Sequence, residues 1–400
     1  MDIRRVLIVG GGLMGGGIAL AGGCAAGTET GETTRFEAAT HTPGEAAASL
    51  IGIAFRNGVE CLGSEAQPVA GEAVYVSPAG DDSNPGDSPD APLGTLAQAL
   101  CHLRPGQTLY VLPGTYREAV IMGVFGDASA PITIRGVPEG DRWPVLDGES
   151  VRTMGIALVE SANIVVENLE FRNYTDEGLY VLLGSDLAIR NNRFIANGRA
   201  SIDPDSGGEG FGVNVLGAQR TLIEANESAD NGPNEERWKQ GVLGTGINTY
   251  ELKDSIVRDN YVHDTLGGGI LIENGTNVLV ENNRIERNEL DASGDYWDGG
   301  IWVDGGQNIT LRGNVINDNH GPGLNLSDED AQYPKAAYGY VIEDNAITGN
   351  LFGVYLWNWG QCPMPEEEIV KFANNQIEGN QQTDFWCVEW ACGTGQACGP

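Results

Sequence analysis

Most of this chain is written in short bursts of alternating apolar and polar residues. Each burst opens on a Gly and is followed by an Asn at a fixed distance. Gly178/Asn192, Gly246/Asn260, Gly269/Asn283 and Gly300/Asn314 are all 14 residues apart, and Gly210/Asn226 is slightly longer. Gly323/Asn345 and Gly353/Asn375 carry extra residues in the gap. A second mark follows, because Asn192/Asn197, Asn226/Asn231, Asn283/Asn288, Asn314/Asn319, Asn345/Asn350 and Asn375/Asn380 are five apart. A phase held while loops of varying length are inserted between the marks predicts a solenoid of stacked coils. Successive coils would lie ~4.8 Å apart, and Asn at a repeated turn can form a ladder of side-chain hydrogen bonds while tolerating left-handed backbone.

The alternation predicts which way each side chain points. The first and third positions after the Gly are apolar and are expected inside: Leu179 and Val181, Phe211 and Val213, Ile270 and Ile272, Ile301 and Val303, Leu324 and Leu326, Val354 and Leu356. The second and fourth are expected outside: Tyr180 and Leu182, Gly212 and Asn214, Asn248 and Tyr250, Leu271 and Glu273, Trp302 and Asp304, Asn325 and Ser327, Tyr355 and Trp357. Long insertions at 198–209, 232–245, 289–299, 328–338 and 360–368 all border this strand of the coil. They would wall a groove along one sheet, where sites on rigid scaffolds usually sit.

The opening of the body reads Pro92-Leu-Gly-Thr-Leu-Ala-Gln-Ala-Leu100, then Pro105-Gly-Gln-Thr-Leu-Tyr-Val-Leu-Pro-Gly-Thr-Tyr116. Thr95 can cap a short helix with Leu96, Ala99, Leu100 and Leu103 on one face. Ala130-Pro-Ile-Thr-Ile-Arg135 and Val145-Leu-Asp-Gly148 follow. This opening resembles the N-terminal cap and first coil of the right-handed parallel β-helix, or pectin-lyase-like, superfamily. The resemblance covers residues 74–386 and implies an all-β solenoid with a short capping helix. It is specific for fold and weak for activity, since lyases, hydrolases, epimerases and binding proteins share the scaffold. The calcium and base pattern of pectate lyases and the Asp triad with Gly-His-Gly of polygalacturonases are both absent. Arg237 and Lys239 are rare positive charges near the groove that a β-eliminating lyase would need.

Charge narrows the partners. A net charge of -33 argues against nucleic acid and disfavours unaided binding of polyanionic glycans. Aromatics with amides and acids on an outward face suit sugar rings and hydroxyls instead. Trp302, Tyr250, Asn248, Asn325, Tyr355 and Trp357 are the candidate sugar platform. Glu273 and Asp304 share one outward position on consecutive coils, which places their backbones ~5 Å apart. Two acids that close leave one protonated and one ionised, the arrangement of an acid with a base or nucleophile on a glycosidic bond. Asp298 is a third catalytic candidate, and His263 with Asp264 at a turn a further pair. Asp328, Glu329 and Asp330 are candidate Ca²⁺ ligands. The readings are a polysaccharide hydrolase, a Ca²⁺-assisted lyase or epimerase, and a non-catalytic glycan-binding or structural surface protein; a monomer is expected.

The two ends read differently from the body. Residues 1–24 form a signal peptide: Arg4 and Arg5, an apolar run, and Ala21-Gly22-Gly23-Cys24, which resembles a lipobox with Cys24 as the lipidated residue. Export, free or lipid-anchored at a bacterial envelope, is the implied location, with the membrane reached only through that anchor. Gly10, Gly12 and Gly15 match a dinucleotide-binding fingerprint, but no second strand follows and the Rossmann reading is rejected. Residues 25–73 read as a linker with a short helix, and 387–400 as a Cys-rich cap. Cys61, Cys101, Cys362, Cys387, Cys392 and Cys398 cluster at the two ends of the body and point to disulfides there.

Overall fold

The computed structural model describes residues 59–61, 71–199, 210–233, 244–290, 299–328, 337–357 and 369–388. Apart from the six-residue helix Leu96–Cys101, their regular structure is all parallel strand, in three sheets of 11, 11 and 10 strands. Each coil lays one strand on each sheet. Glu177–Leu182 runs on the first wall, Ser185–Arg190 on the second and Arg193–Ile195 on the third, and the chain then returns to the first wall as Gly210–Leu216. The corners are sharp, and Asn168, Asn191, Asp259 and Asn282 turn them at φ near 55° (60°, 53°, 54° and 55°). Short side chains that bond locally bear this left-handed geometry at least cost. Thr95 accepts from Gln98 N at 3.2 Å, while Leu96, Ala99 and Leu100 of the helix are buried. No helix among the described residues is long and apolar enough to cross a membrane.

The core is one column of aliphatic side chains running the length of the stack, with Tyr116, Tyr174, Phe171 and Phe194 toward its N-terminal end. Two Asn ladders bound it. Asn192, Asn226, Asn260, Asn283, Asn314, Asn345 and Asn375 each donate Nδ2 back to a strand carbonyl or on to the next Asn, and each accepts at Oδ1 in turn. Asn197 joins Asn231, and Asn288, Asn319, Asn350 and Asn380 form a second line, broken where Thr265 stands. Every buried turn thus finds partners in the coil above and below. The Gly column exists because these carboxamides need room. A Cβ on Gly300 would lie 2.8 Å from Asn319 Nδ2, and one on Gly323 2.5 Å from Asn350 Nδ2.

One register expectation fails. The marker Gly in the coil before Asn226 is Gly212, stacked between Gly178 and Gly246, so this coil keeps the 14-residue spacing. Phe211 pairs with Glu177 and Thr245 and stands outside the core cluster, whereas Val213 and Val215 are in it. A Cβ on Gly212 would meet buried Ser228 Oγ at 2.5 Å. The chain bends at each marker Gly, so the residue before it faces outward despite its parity.

The second wall carries a charge ladder on its outer face. Arg135, Glu167, Arg190, Glu224, Arg258, Glu281, Arg312 and Glu343 are successive register partners, alternating in sign. Arg190 bonds Glu167 at 2.7 Å, Arg258 bonds Glu224 at 2.7 Å and Arg312 bonds Glu281 at 2.6 Å.

Candidate functional site on the first wall

Two outward columns run along the first wall. One holds Tyr180, Asn214, Asn248, Leu271, Trp302, Asn325, Tyr355 and Trp386, as successive Cα partners. The other holds Leu216, Tyr250, Glu273, Asp304, Ser327 and Trp357. Five stretches outside the described residues (200–209, 234–243, 291–298, 329–336 and 358–368) each begin or end within two residues of this wall's strands or their flanking turns.

Glu273 and Asp304 are direct register partners, so the pairing expected from sequence is present. Their surroundings differ. Asp304 is 3% exposed, and Ser327 Oγ donates to its Oδ1 at 2.6 Å. Trp302 Nε1 donates to the same Ser327 oxygen at 2.8 Å. An indole N–H can only donate, so the serine proton is committed to Asp304. Glu273, beside it, is half-buried. Both Asp304 and Asp328 raise the buried phenol of Tyr340 further above its ordinary range, burial being the larger cause. Tyr340 donates to Gly305 O, directly after Asp304.

An aromatic row extends from this pair toward the C-terminal end. Trp302 and Trp357 have ring centroids 6.3 Å apart. Tyr355 stacks on Trp357 at 5.9 Å and on Trp386 at 4.7 Å, and Trp386 lies 4.5 Å from Phe352. Trp357 Nε1 donates to Asn325 Oδ1 at 2.6 Å. Trp357 and Trp386 are half-exposed, whereas Trp302, Tyr250, Tyr355, Asn248 and Asn325 are buried. The exposed part of the candidate platform among the described residues is therefore narrower than the outward pattern suggested, and Trp302 is buried with its indole N–H on Ser327.

The matches to known proteins bear on this architecture. A family described as "Pel9A-like, right handed beta helix region" matches residues 74–248. One described as "Periplasmic copper-binding protein (NosD)" matches residues 206–386. Each covers somewhat less than half the chain. Pectate lyase Pel9A superposes over 81% of this chain and 82% of its own, with a TM-score of 0.56 and 17% identity. The chain folds as a right-handed parallel β-helix. This β-helix also resembles an alginate lyase from Paenibacillus sp. strain FPU-7, with a TM-score of 0.54 and 15% identity over 71% of this chain and 93% of that one. An uncharacterized Bacillus subtilis protein, YwoF, is 31% identical over 136 residues, which is 31% of this chain and 28% of the length of that relative.

The remaining candidates fall elsewhere. His263 and Asp264 belong to the third wall and are not brought to Glu273 and Asp304. His263 Nδ1 lies 2.6 Å from Asp264 Oδ2, and Tyr261 stacks on the His ring at 4.0 Å. Arg287 bonds both Asp264 oxygens at 2.9 and 2.8 Å and holds that carboxyl below its usual range. The turn is thus a closed ion-pair cluster. Asp328 is buried, and its Oδ2 accepts from Ala337 N at 3.1 Å. Asp298, Glu329, Asp330 and Cys24 lie outside the described residues. Among the described residues no group of three or more His, Cys, Asp or Glu could hold a metal. Sequence reading assigned no role to Ser327 or Trp386, although aligning the coils puts Ser327 beside Asp304 and Trp386 beside Tyr355.

Proposed function

We propose that the protein is an extracytoplasmic carbohydrate-active β-helix that cleaves a polysaccharide with the Glu273–Asp304 pair. The observation that carries this is the Trp302–Ser327–Asp304 relay beside a second carboxyl. The relay commits a donor to Asp304, which suits it to the role of base or nucleophile, and we assign the acid's proton to Glu273. Glu273 would give that proton to the glycosidic oxygen as the C–O bond breaks. Asp304 would attack the anomeric carbon, or take a proton from the water that does. Half-exposed Trp357 and Trp386 would seat sugar rings along the wall.

Reducing-end release from a polysaccharide panel tests this. Glu273→Gln and Asp304→Asn are each expected to lower the rate by ~100-fold or more. A double variant that cuts as fast as the parent refutes the assignment. The likeness in fold to a pectate lyase and an alginate lyase favours a second reading, β-elimination aided by Ca²⁺. Unsaturated products, abolished by a chelator, would establish it. Binding with neither product would leave a glycan-binding module.

The name "periplasmic" for the family matched over 206–386 supports an extracytoplasmic location. So do Cys101 and Cys387, both in disulfides, which persist in oxidising compartments and would pin the two ends of the stack. Lipidation at Cys24 and a monomeric state complete the proposal. Mass spectrometry of the processed N-terminus and sedimentation test them in turn.

A further inference from the structure

The nine strands of the first wall from Met154–Val159 to Thr383–Val388 contain no Lys, Arg or His. The cations face out elsewhere: Arg190, Arg258 and Arg312 on the second wall, Arg193, Arg284 and Arg287 on the third. These first-wall strands hold Glu177, Glu273, Asp304 and Asp384 instead. A polyuronate laid along these described strands would set carboxylate against carboxylate; Arg237 and Lys239 lie outside the described residues.

A hydrogen-bond relay on the same wall has a direction. Asn214 Nδ2 donates to Glu177 Oε1 at 3.1 Å, and Asn248 Nδ2 donates to Asn214 Oδ1 at 2.9 Å. A carboxylate only accepts, so Glu177 fixes both amides with nitrogen toward itself and oxygen away. All three side chains are more than nine-tenths buried, and the relay ends on Asn248 Oδ1, which has no hydrogen-bond partner among the described residues. The next residue in its column is half-exposed Leu271, which has no donor to offer, and beyond it stands Trp302. A buried acceptor of this kind is stabilised by a donor. A sugar hydroxyl can supply that donor, and the charge of the wall then bears on which sugars approach it.

We infer that Asn248 Oδ1 receives a hydroxyl of an uncharged polysaccharide, and that the groove takes neutral glycans in preference to polyuronates. Glu177 and Asn214 are positioning residues for this contact. The inference rests on the reading of the first wall as a glycan groove.

The test is titration of the full chain, in chelator, with a neutral β-glucan, a galactomannan, alginate and polygalacturonate. A neutral polymer is expected to bind, with the uronates at least ~10-fold weaker. Asn248→Leu should lower the neutral affinity about tenfold, the scale of one lost hydrogen bond. Glu177→Gln, which fills the same volume and lets the relay reverse, should weaken binding while the melting temperature stays unchanged. Tighter binding of a uronate in chelator overturns the inference, as does an Asn248→Leu chain that binds as the parent does. A neutral glycan that binds through Asn248 yet stays uncut would leave this inference standing and defeat the catalytic reading of Glu273 and Asp304. A glycan cut and bound equally well without Asn248 would do the reverse.

Discussion

Replacing Asn314 with Ala should be among the costliest single changes in the stack. Its side chain makes four hydrogen bonds in a fully buried place. Nδ2 donates to Val280 O and Asn345 Oδ1, both at 2.9 Å, while Oδ1 accepts from Asn283 N and Asn283 Nδ2, both at 3.0 Å. Two of the four partners keep another bond, since Asn345 Oδ1 still accepts from Asn314 N and Asn283 Nδ2 still donates to Val257 O. Asn283 N–H is left buried with nothing to bond. One orphaned donor with three further lost bonds amounts to about 4 kcal/mol. Asn317→Ala is the control: its half-buried amide donates only to neighbouring Asp318 at 2.8 Å, and the change should cost less than ~0.5 kcal/mol. Urea melts followed by far-UV circular dichroism would compare the two. If Asn314→Ala and Asn317→Ala melt alike, the ladder is not what holds the turns, and the reasoning fails.

Other outcomes follow from the remaining walls. Burial alone would raise the Glu286 carboxyl, but bonds from Tyr261, Arg287 and Arg284 outweigh it and bring it from 4.5 to about 2. A depressed carboxyl contributes stability above its unfolded value and loses it as pH falls. Melting temperatures should therefore drop between pH 4.5 and about 2 more steeply for the parent than for Glu286→Gln; parallel profiles would count against this. Arg258→Met removes the cation between Glu224 and Glu281 and should lower the melting temperature slightly at low salt, an effect that vanishes in molar NaCl; a loss of the same size in molar salt would count against a screened ion pair. Reduction should lower the melting temperature through the bridges at Cys101 and Cys387, and an unchanged midpoint would show that they do not brace the ends.

Much of the scaffold was readable because its marks are local and periodic. The Gly and Asn columns and the adjacency of Glu273 and Asp304 needed only a count of residues. The slip at Gly210 arose because Gly210 and Gly212 differ by two, so a period of two cannot separate them, and the bend at the marker Gly turns Phe211 outward against its parity. Burial on the first wall was not readable either: an outward direction says where a side chain points and nothing about what lies over it, as Trp302 illustrates. His263 and Asp264 looked like a proton-handling pair, but their role is decided by Arg287, which reaches Asp264 from the next coil.

A stack of near-identical coils has a particular way to misassemble. The aliphatic core and the Asn turns repeat in every layer, so a strand displaced by one layer would find almost the same partners. The Arg–Glu alternation on the second wall removes that degeneracy, because a shift by one layer sets Arg on Arg and Glu on Glu. Only a shift by two restores opposite signs, and that would strand a whole turn of chain. The ladder therefore discriminates among layers during assembly, a service its surface ion pairs render even where each adds little to the stability of the finished stack.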